Sequence, residues 1–178
     1  MQPCLLIASP QMKDPFFEGT VVLVWHYDAD GAIGVIVNRA LPHSIPDVLM
    51  LTGVEEMNLH PENRVTWGGP VETGSGTAIS RAQINDGEGW QLDENIAITR
   101  SEDVLYRMLS EQKQVILCLG YAGWGPGQLD AEIEAGGWLY TDATPDLVFD
   151  SRDEDGYAQA IKTLGLTKGS VWMTPISE

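Results

Sequence analysis

Dense β-branched runs alternate along this chain with sparser stretches whose apolar residues recur three or four positions apart. The first dense run, residues 21–27, is apolar on both alternating faces and predicts a central strand, with His26 as a hydrogen-bonded core residue. Asp28-Ala29-Asp30-Gly31 supplies turn chemistry and residues 32–38 resume the strand pattern, so the pair reads as a β-hairpin. Ser44 is placed to cap a short helix over 46–51, with Pro46 in its first turn and Gly53 as its stop. Residues 64–67 enter a turn at Gly68-Gly69-Pro70-Val71. The glycine-rich Gly74-Ser75-Gly76-Thr77 then leads to Ala78-Ile79-Ser80, which predicts short strands around a tight corner. Residues 90–98 read as one strand interrupted by Asp93, Glu94 and Asn95.

Ser101-Glu102-Asp103-Val104 opens a helix that places Leu105, Met108, Leu109 and Gln112 on one face, and an apolar strand over 115–119 follows. Residues 128–134 predict a helix ended by Gly136, residues 138–140 a strand, and residues 153–164 a last helix stopped by Gly165. An early antiparallel pair and a later helix-strand-helix-strand order predict an α/β (α+β) fold, a compact sandwich with a mixed β-sheet flanked by helices. No internal repeat, low-complexity tract or linker divides the chain, so residues 1–178 read as a single domain.

The segment Leu119-Gly120-Tyr121-Ala122-Gly123-Trp124-Gly125-Pro126-Gly127-Gln128-Leu129 carries the most specific pattern. It reads as strand, shaped loop, helix. Glycine permits positive φ and close backbone approach, and the first turn of a helix offers unpaired N–H groups to an acceptor. One reading is a ligand loop: the amides of Gly125 and Gly127 hold an anionic or carbonyl group, with Tyr121 and Trp124 beside it and Gln128 orienting. The other is architectural, the glycines letting the chain turn while Tyr121 and Trp124 pack inward. Neither the Lys-Ser/Thr of a phosphate-binding P-loop nor G-x-G-x-x-G in dinucleotide phase is present. Gly68 and Gly69 pose the same choice. Asn38 and Arg39 stand at a strand end, where functional polar groups are common; a surface arginine paired with an acid is the plain alternative.

Other constellations are weaker. Asp130 and Glu134 share a helix face, as acids on a solvated face also do. His26, His43 and His60 show no metal-ligand spacing, and no G-x-S-x-G elbow occurs, so neither metal nor nucleophilic catalysis has visible machinery. No cofactor is indicated. Cys118 lies in an apolar run and reads as a small buried hydrophobe, whereas Cys4, near the terminus, is expected to be more accessible. Reduced thiols are expected, although spacing alone leaves a bridge between the two open.

Composition narrows the partners. The 178 residues are 43% hydrophobic and 20% charged, which is globular, and such a chain buries about two thirds of its unfolded surface. No apolar run approaches the roughly 20 residues of a bilayer span, and no basic n-region precedes a signal-like stretch. A cytoplasmic address is therefore expected. Ten Lys and Arg against 26 Asp and Glu give a net charge of −16, with the cations scattered singly. DNA binders gain affinity by neutralising phosphates, so direct nucleic-acid docking is not expected.

Three ordered blocks resemble the AlgH/YqgE family: Leu6-Ile7-Ala8-Ser9-Pro10 with Asp14-Pro15-Phe16-Phe17 and residues 31–39; Gly68-Gly69-Pro70-Val71; and Gly120 to Leu129 with Trp138 following. The chain departs from the family's pattern at Gly74 to Ser80, where an arginine-glycine-phenylalanine segment is usual. The resemblance implies a small cytosolic bacterial protein of compact mixed α/β architecture, without an established reaction or cofactor. Some members carry a transcriptional-regulator label linked to alginate production. Three hypotheses follow: a non-catalytic regulatory protein binding a small anionic ligand or a protein partner where Asn38-Arg39, Gly68-Gly69-Pro70 and the Gly120 to Gln128 segment converge; an enzyme acting on a small anionic or acyl substrate at that segment; or a transcriptional regulator acting indirectly.

Overall fold

A computed structural model describes residues 4–50 and 58–164. Nine strands form one mixed sheet: β1 (Cys4–Ala8), β2 (Val21–Asp28), β3 (Gly31–Ile36), β4 (Arg64–Trp67), β5 (Val71–Ser80), β6 (Trp90–Asp93), β7 (Ile96–Thr99), β8 (Val115–Trp124) and β9 (Trp138–Asp142). Their order is β6-β7-β5-β8-β3-β2-β1-β9, all antiparallel, while β4 runs parallel to β8 off this path. Strand β8 joins the two halves. One flank pairs with β5 between Val115 and Tyr121; the other pairs with β4 through Ile116 to Leu119 and then with β3 through Ala122 to Trp124.

Helices α1 (Ile45–Leu49) and α2 (Glu102–Ser110) cover one face of the β4-β5-β7-β8 half, while α4 (Pro145–Asp150) and α5 (Asp153–Thr163) supply the other core. Helix α3 (Gln128–Glu134) links β8 to β9. Val115 and Leu117 pack toward α2, and Ile116 and Cys118 toward the opposite core. Alternation within an all-apolar run is the signature of a strand buried on both faces, and it explains why these runs lack polar positions. The Ser101 hydroxyl caps α2 by accepting from the Val104 amide, and Gly136, at φ 83°, follows the end of α3 as expected.

Several expectations are corrected. Residues 4–8 form a fully buried inner strand, and α4 was not anticipated. The corner at Gly74 is the first half of one ten-residue strand, β5, whose register against β8 jumps between Val71 and Gly76. Residues 90–98 are two strands, β6 and β7, because Asp93 turns the chain with its carboxylate accepting from the Asn95 amide. The first helix ends at Leu49 with Met50 in the left-handed region; the stops expected at Gly53 and Gly165 lie outside the described residues. His26 is not in the core: a register shift between Val24 and His26 turns it outward, where it pairs with Asp28 at 2.9 Å. Cys4 is buried, as is Cys118, and with β2 and β3 between their strands, no bridge can form.

Candidate functional site

A cleft of about 940 Å³ opens where β3 ends. Asn38 forms part of its floor. Its Oδ1 accepts from the Val21 amide at 2.8 Å, and its Nδ2 donates to the carbonyls of Gly19 at 3.0 Å and Asp153 at 3.1 Å. A buried amide whose donors and acceptor all meet backbone is a clamp, here fixing α5 against the β2–β3 pair. Asp153 takes φ 49°, and its carboxylate accepts from the Ala40 amide at 3.3 Å, which offsets part of the strain. Behind this wall, the buried Arg64 guanidinium donates to the carbonyls of Val37, Val148, Phe149 and Ser151, tying β4 to the end of α4. Burial pulls its pKa down to about 10, and the four carbonyls compensate the cation.

Arg39 holds the opposite wall. It donates to the carbonyls of Phe16 at 2.7 Å and Glu18 at 2.8 Å, and its guanidinium lies 5.7 Å from the Trp67 ring centroid. Phe16, half exposed, stacks on Trp67 at 5.8 Å. Burial lowers the Arg39 pKa, and Glu18 opposes that shift. The expected surface ion pair is thus mainly a clamp on backbone. Glu18, Asp153 and Glu154 bring carboxylates to the cleft, and Tyr157, on α5, anchors its hydroxyl on the Ala8 carbonyl at 2.6 Å. None of these four was nominated as a site residue in the sequence, because Asp153 and Tyr157 reach the site through contacts with residues more than a hundred positions away.

Gly68 and Gly69 follow Trp67 and pass directly over Gly120 and Tyr121. A Cβ on Gly68 would stand 2.3 Å from the Gly120 carbonyl oxygen, and one on Gly69 2.3 Å from the Tyr121 carbonyl. These glycines serve a backbone crossing. Tyr121 is partly buried beneath the Arg100 guanidinium, 5.7 Å from its centroid.

The glycine-rich segment differs from the expected loop. Strand β8 continues through Tyr121 to Trp124, leaving only residues 125–127 as loop. Trp124 pairs with Ala32, at the opposite end of β3 from Asn38, so Trp124, Gly125, Gly127 and Gln128 are not among the residues lining the cleft. Trp124 is buried and packs on Phe17 and Trp138. The Gly125 amide donates to Gln128 Oε1 at 3.0 Å, and Gln128 Nε2 donates to Glu132 at 2.8 Å. Among the described residues Glu132 is the one carboxylate bonded to this segment, and its other oxygen accepts from both Trp124 at 3.2 Å and Trp138 at 2.9 Å. Gly127, at φ 72°, permits the turn into α3. On the same helix Asp130 accepts from the Tyr27 hydroxyl while Glu134 stays exposed. Among the described residues no three His, Cys, Asp or Glu side chains gather into a metal-binding group. Among the described residues no helix is long and apolar enough to cross a membrane.

Comparisons with known proteins agree with this architecture. The UPF0301 protein Rru_A3059 of Rhodospirillum rubrum is 39% identical over 164 residues, covering 90% of this chain and 85% of that one. A UPF0301 protein of Paracoccus denitrificans is 38% identical over 169 residues, covering 91% and 88%. The solution structure of AlgH from Pseudomonas aeruginosa superposes with a TM-score of 0.75 at 28% identity, covering 99% of this chain and 94% of that one. Protein DIP2367 of Corynebacterium diphtheriae shares the fold, with a TM-score of 0.75 at 21% identity over 91% and 86%. A family model described as AlgH-like matches residues 5–168, and on that match and these relatives the chain belongs to the AlgH-like family.

Proposed function

We propose that this is a non-catalytic regulatory protein of the cytoplasm that works by binding a partner in the cleft at the end of β3. The observation that carries this reading is a cleft of about 940 Å³, near the upper end of ligand-site volumes, whose walls are fixed by buried polar clamps. Asn38 and Arg39 hold those walls by bonding backbone, which keeps the opening preformed. The glycine-rich segment supports a structural role, since its amide at Gly125 and both oxygens of Glu132 are already engaged. Any influence on transcription would run through the partner, because a net charge of −16 repels DNA.

Ala158, exposed on the cleft side of α5, allows a test. A thermal-shift screen of anionic metabolites, nucleotides, amines and short peptides is run on the wild type and on Ala158→Trp, whose indole would fill the opening. The expected result is a ligand class that raises the melting temperature of the wild type and not of the variant. Equal shifts in both proteins, or no shift from any class, overturns the cleft reading.

A further inference from the structure

Building on that reading, we propose that the cleft receives an extended, basic peptide segment whose lysine or arginine side chains pair with Glu18, Asp153 and Glu154.

The charges around the opening favour a cation. Glu18 stands on the loop wall and Asp153 and Glu154 on the α5 wall, so acidic residues line the space from two sides. Among the described residues lining the cleft Arg39 is the only Lys or Arg, and two of its five N–H donors already bond the carbonyls of Phe16 and Glu18. A guanidinium partly committed to backbone in this way is a weaker fork for a carboxylate or phosphate than a free one. Its placement also shows what this wall accepts: a guanidinium over Trp67, bonded to loop carbonyls. A second cation arriving from outside would meet the same chemistry beside Glu18, Asp153 and Glu154, acids that outnumber the one arginine lining the described cleft.

The remaining lining is apolar, with Pro10, Pro15, Leu41, Trp67 and Ala158 around the acids. Such a surface suits the methylene stems of lysine and arginine, which lie along apolar walls while their charged heads reach polar groups. A volume of about 940 Å³ with acids on two walls fits several residues of chain rather than a single amine. A net charge of −16 would speed the encounter by long-range attraction.

The probe is a synthetic peptide of alternating alanine with lysine and arginine, with an acidic peptide of alternating alanine and glutamate as its control. Binding is measured by fluorescence anisotropy at about 0.15 M salt, where charges beyond about 8 Å are largely screened. Two double variants remove the same charge: Glu18→Gln with Glu154→Gln at the cleft, and Asp103→Asn with Glu134→Gln on α2 and α3. The expected result is binding of the basic peptide alone, weakened about tenfold by the cleft pair and little by the distant pair. Equal loss in both pairs would mean general attraction to an acidic surface and would overturn the inference, as would preference for the acidic peptide. The two readings fail separately: an anionic or neutral ligand excluded by Ala158→Trp leaves the cleft reading standing and removes the basic peptide. Basic-peptide binding that persists unchanged in Ala158→Trp places the peptide elsewhere and removes it too.

Discussion

Asn38 shows how one side chain can carry a wall of the molecule. Its buried amide meets three backbone groups from two separate parts of the fold. Asn38→Leu, close in volume, would leave the Val21 amide and two carbonyls without partners, and should cost about 2–4 kcal/mol in urea unfolding. A cost near zero would mean that α5 is held by packing alone. The thiols give a second prediction at this scale. Burial pushes both Cys4 and Cys118 up to about 11, so almost no thiolate exists near neutral pH. Iodoacetamide at about pH 8 should leave both unmodified in the native protein and alkylate both in guanidinium chloride. Rapid native labelling of Cys4 would show that β1 opens locally.

At the scale of elements, the crossing of Gly68-Gly69 over Gly120-Tyr121 allows β3, β4 and β8 to meet. Gly120 takes φ 79°, and a Cβ there would lie 2.3 Å from the Gly69 carbonyl oxygen; Gly127 takes φ 72° with nothing within 4 Å. Gly127→Ala should therefore cost about 1 kcal/mol, the left-handed penalty alone, and Gly120→Ala about 3 kcal/mol or more, because backbone must also move. Similar costs would mean that the crossing yields easily. The loop before β6 is tied to α2 by Glu88, which accepts from Arg107 at 2.5 and 2.7 Å and from the Asn85 amide at 2.8 Å. The Arg107 pairing, with the Asn85 amide, lowers the Glu88 pKa from 4.5 to about 2. A carboxylate depressed on folding stabilises above its unfolded value, and that contribution is lost as pH falls from 4.5 through about 2. Arg107→Met should flatten this part of the acid-unfolding curve, measured by circular dichroism; an unchanged curve would mean that the pair is screened away. Much at this scale was legible beforehand. The β2–β3 hairpin, α2 with its Ser101 cap, α3 and α5 all followed from periodicity and capping residues. What was not legible depends on distant partners: glycines suggest a loop at 120–123, yet β3 and β5 recruit that backbone into strand. Asn38 and Arg39 could be nominated as a strand end, but Asp153 and Glu154 joined them only through the fold.

For the whole molecule, charge is the dominant global property. Sixteen uncompensated negative charges repel one another, and exposed ion pairs such as Arg81 with Asp146 and Arg152 with Glu62 relieve them only locally. Raising salt from about 0.02 to about 0.5 M should raise the melting temperature, since screening weakens repulsion more than it weakens these exposed pairs. Binding to duplex DNA should remain undetectable even at the lowest salt, and measurable affinity there would reverse the argument from charge. The doubly used strand β8 bears on how the chain is made. Until residues 115–124 have left the ribosome, β3, β4 and β5 all lack their common neighbour, so the first 114 residues must wait with three open strand edges. Such edges invite pairing with other chains. A nascent chain stalled before β8 is then the form of this protein most prone to aggregation.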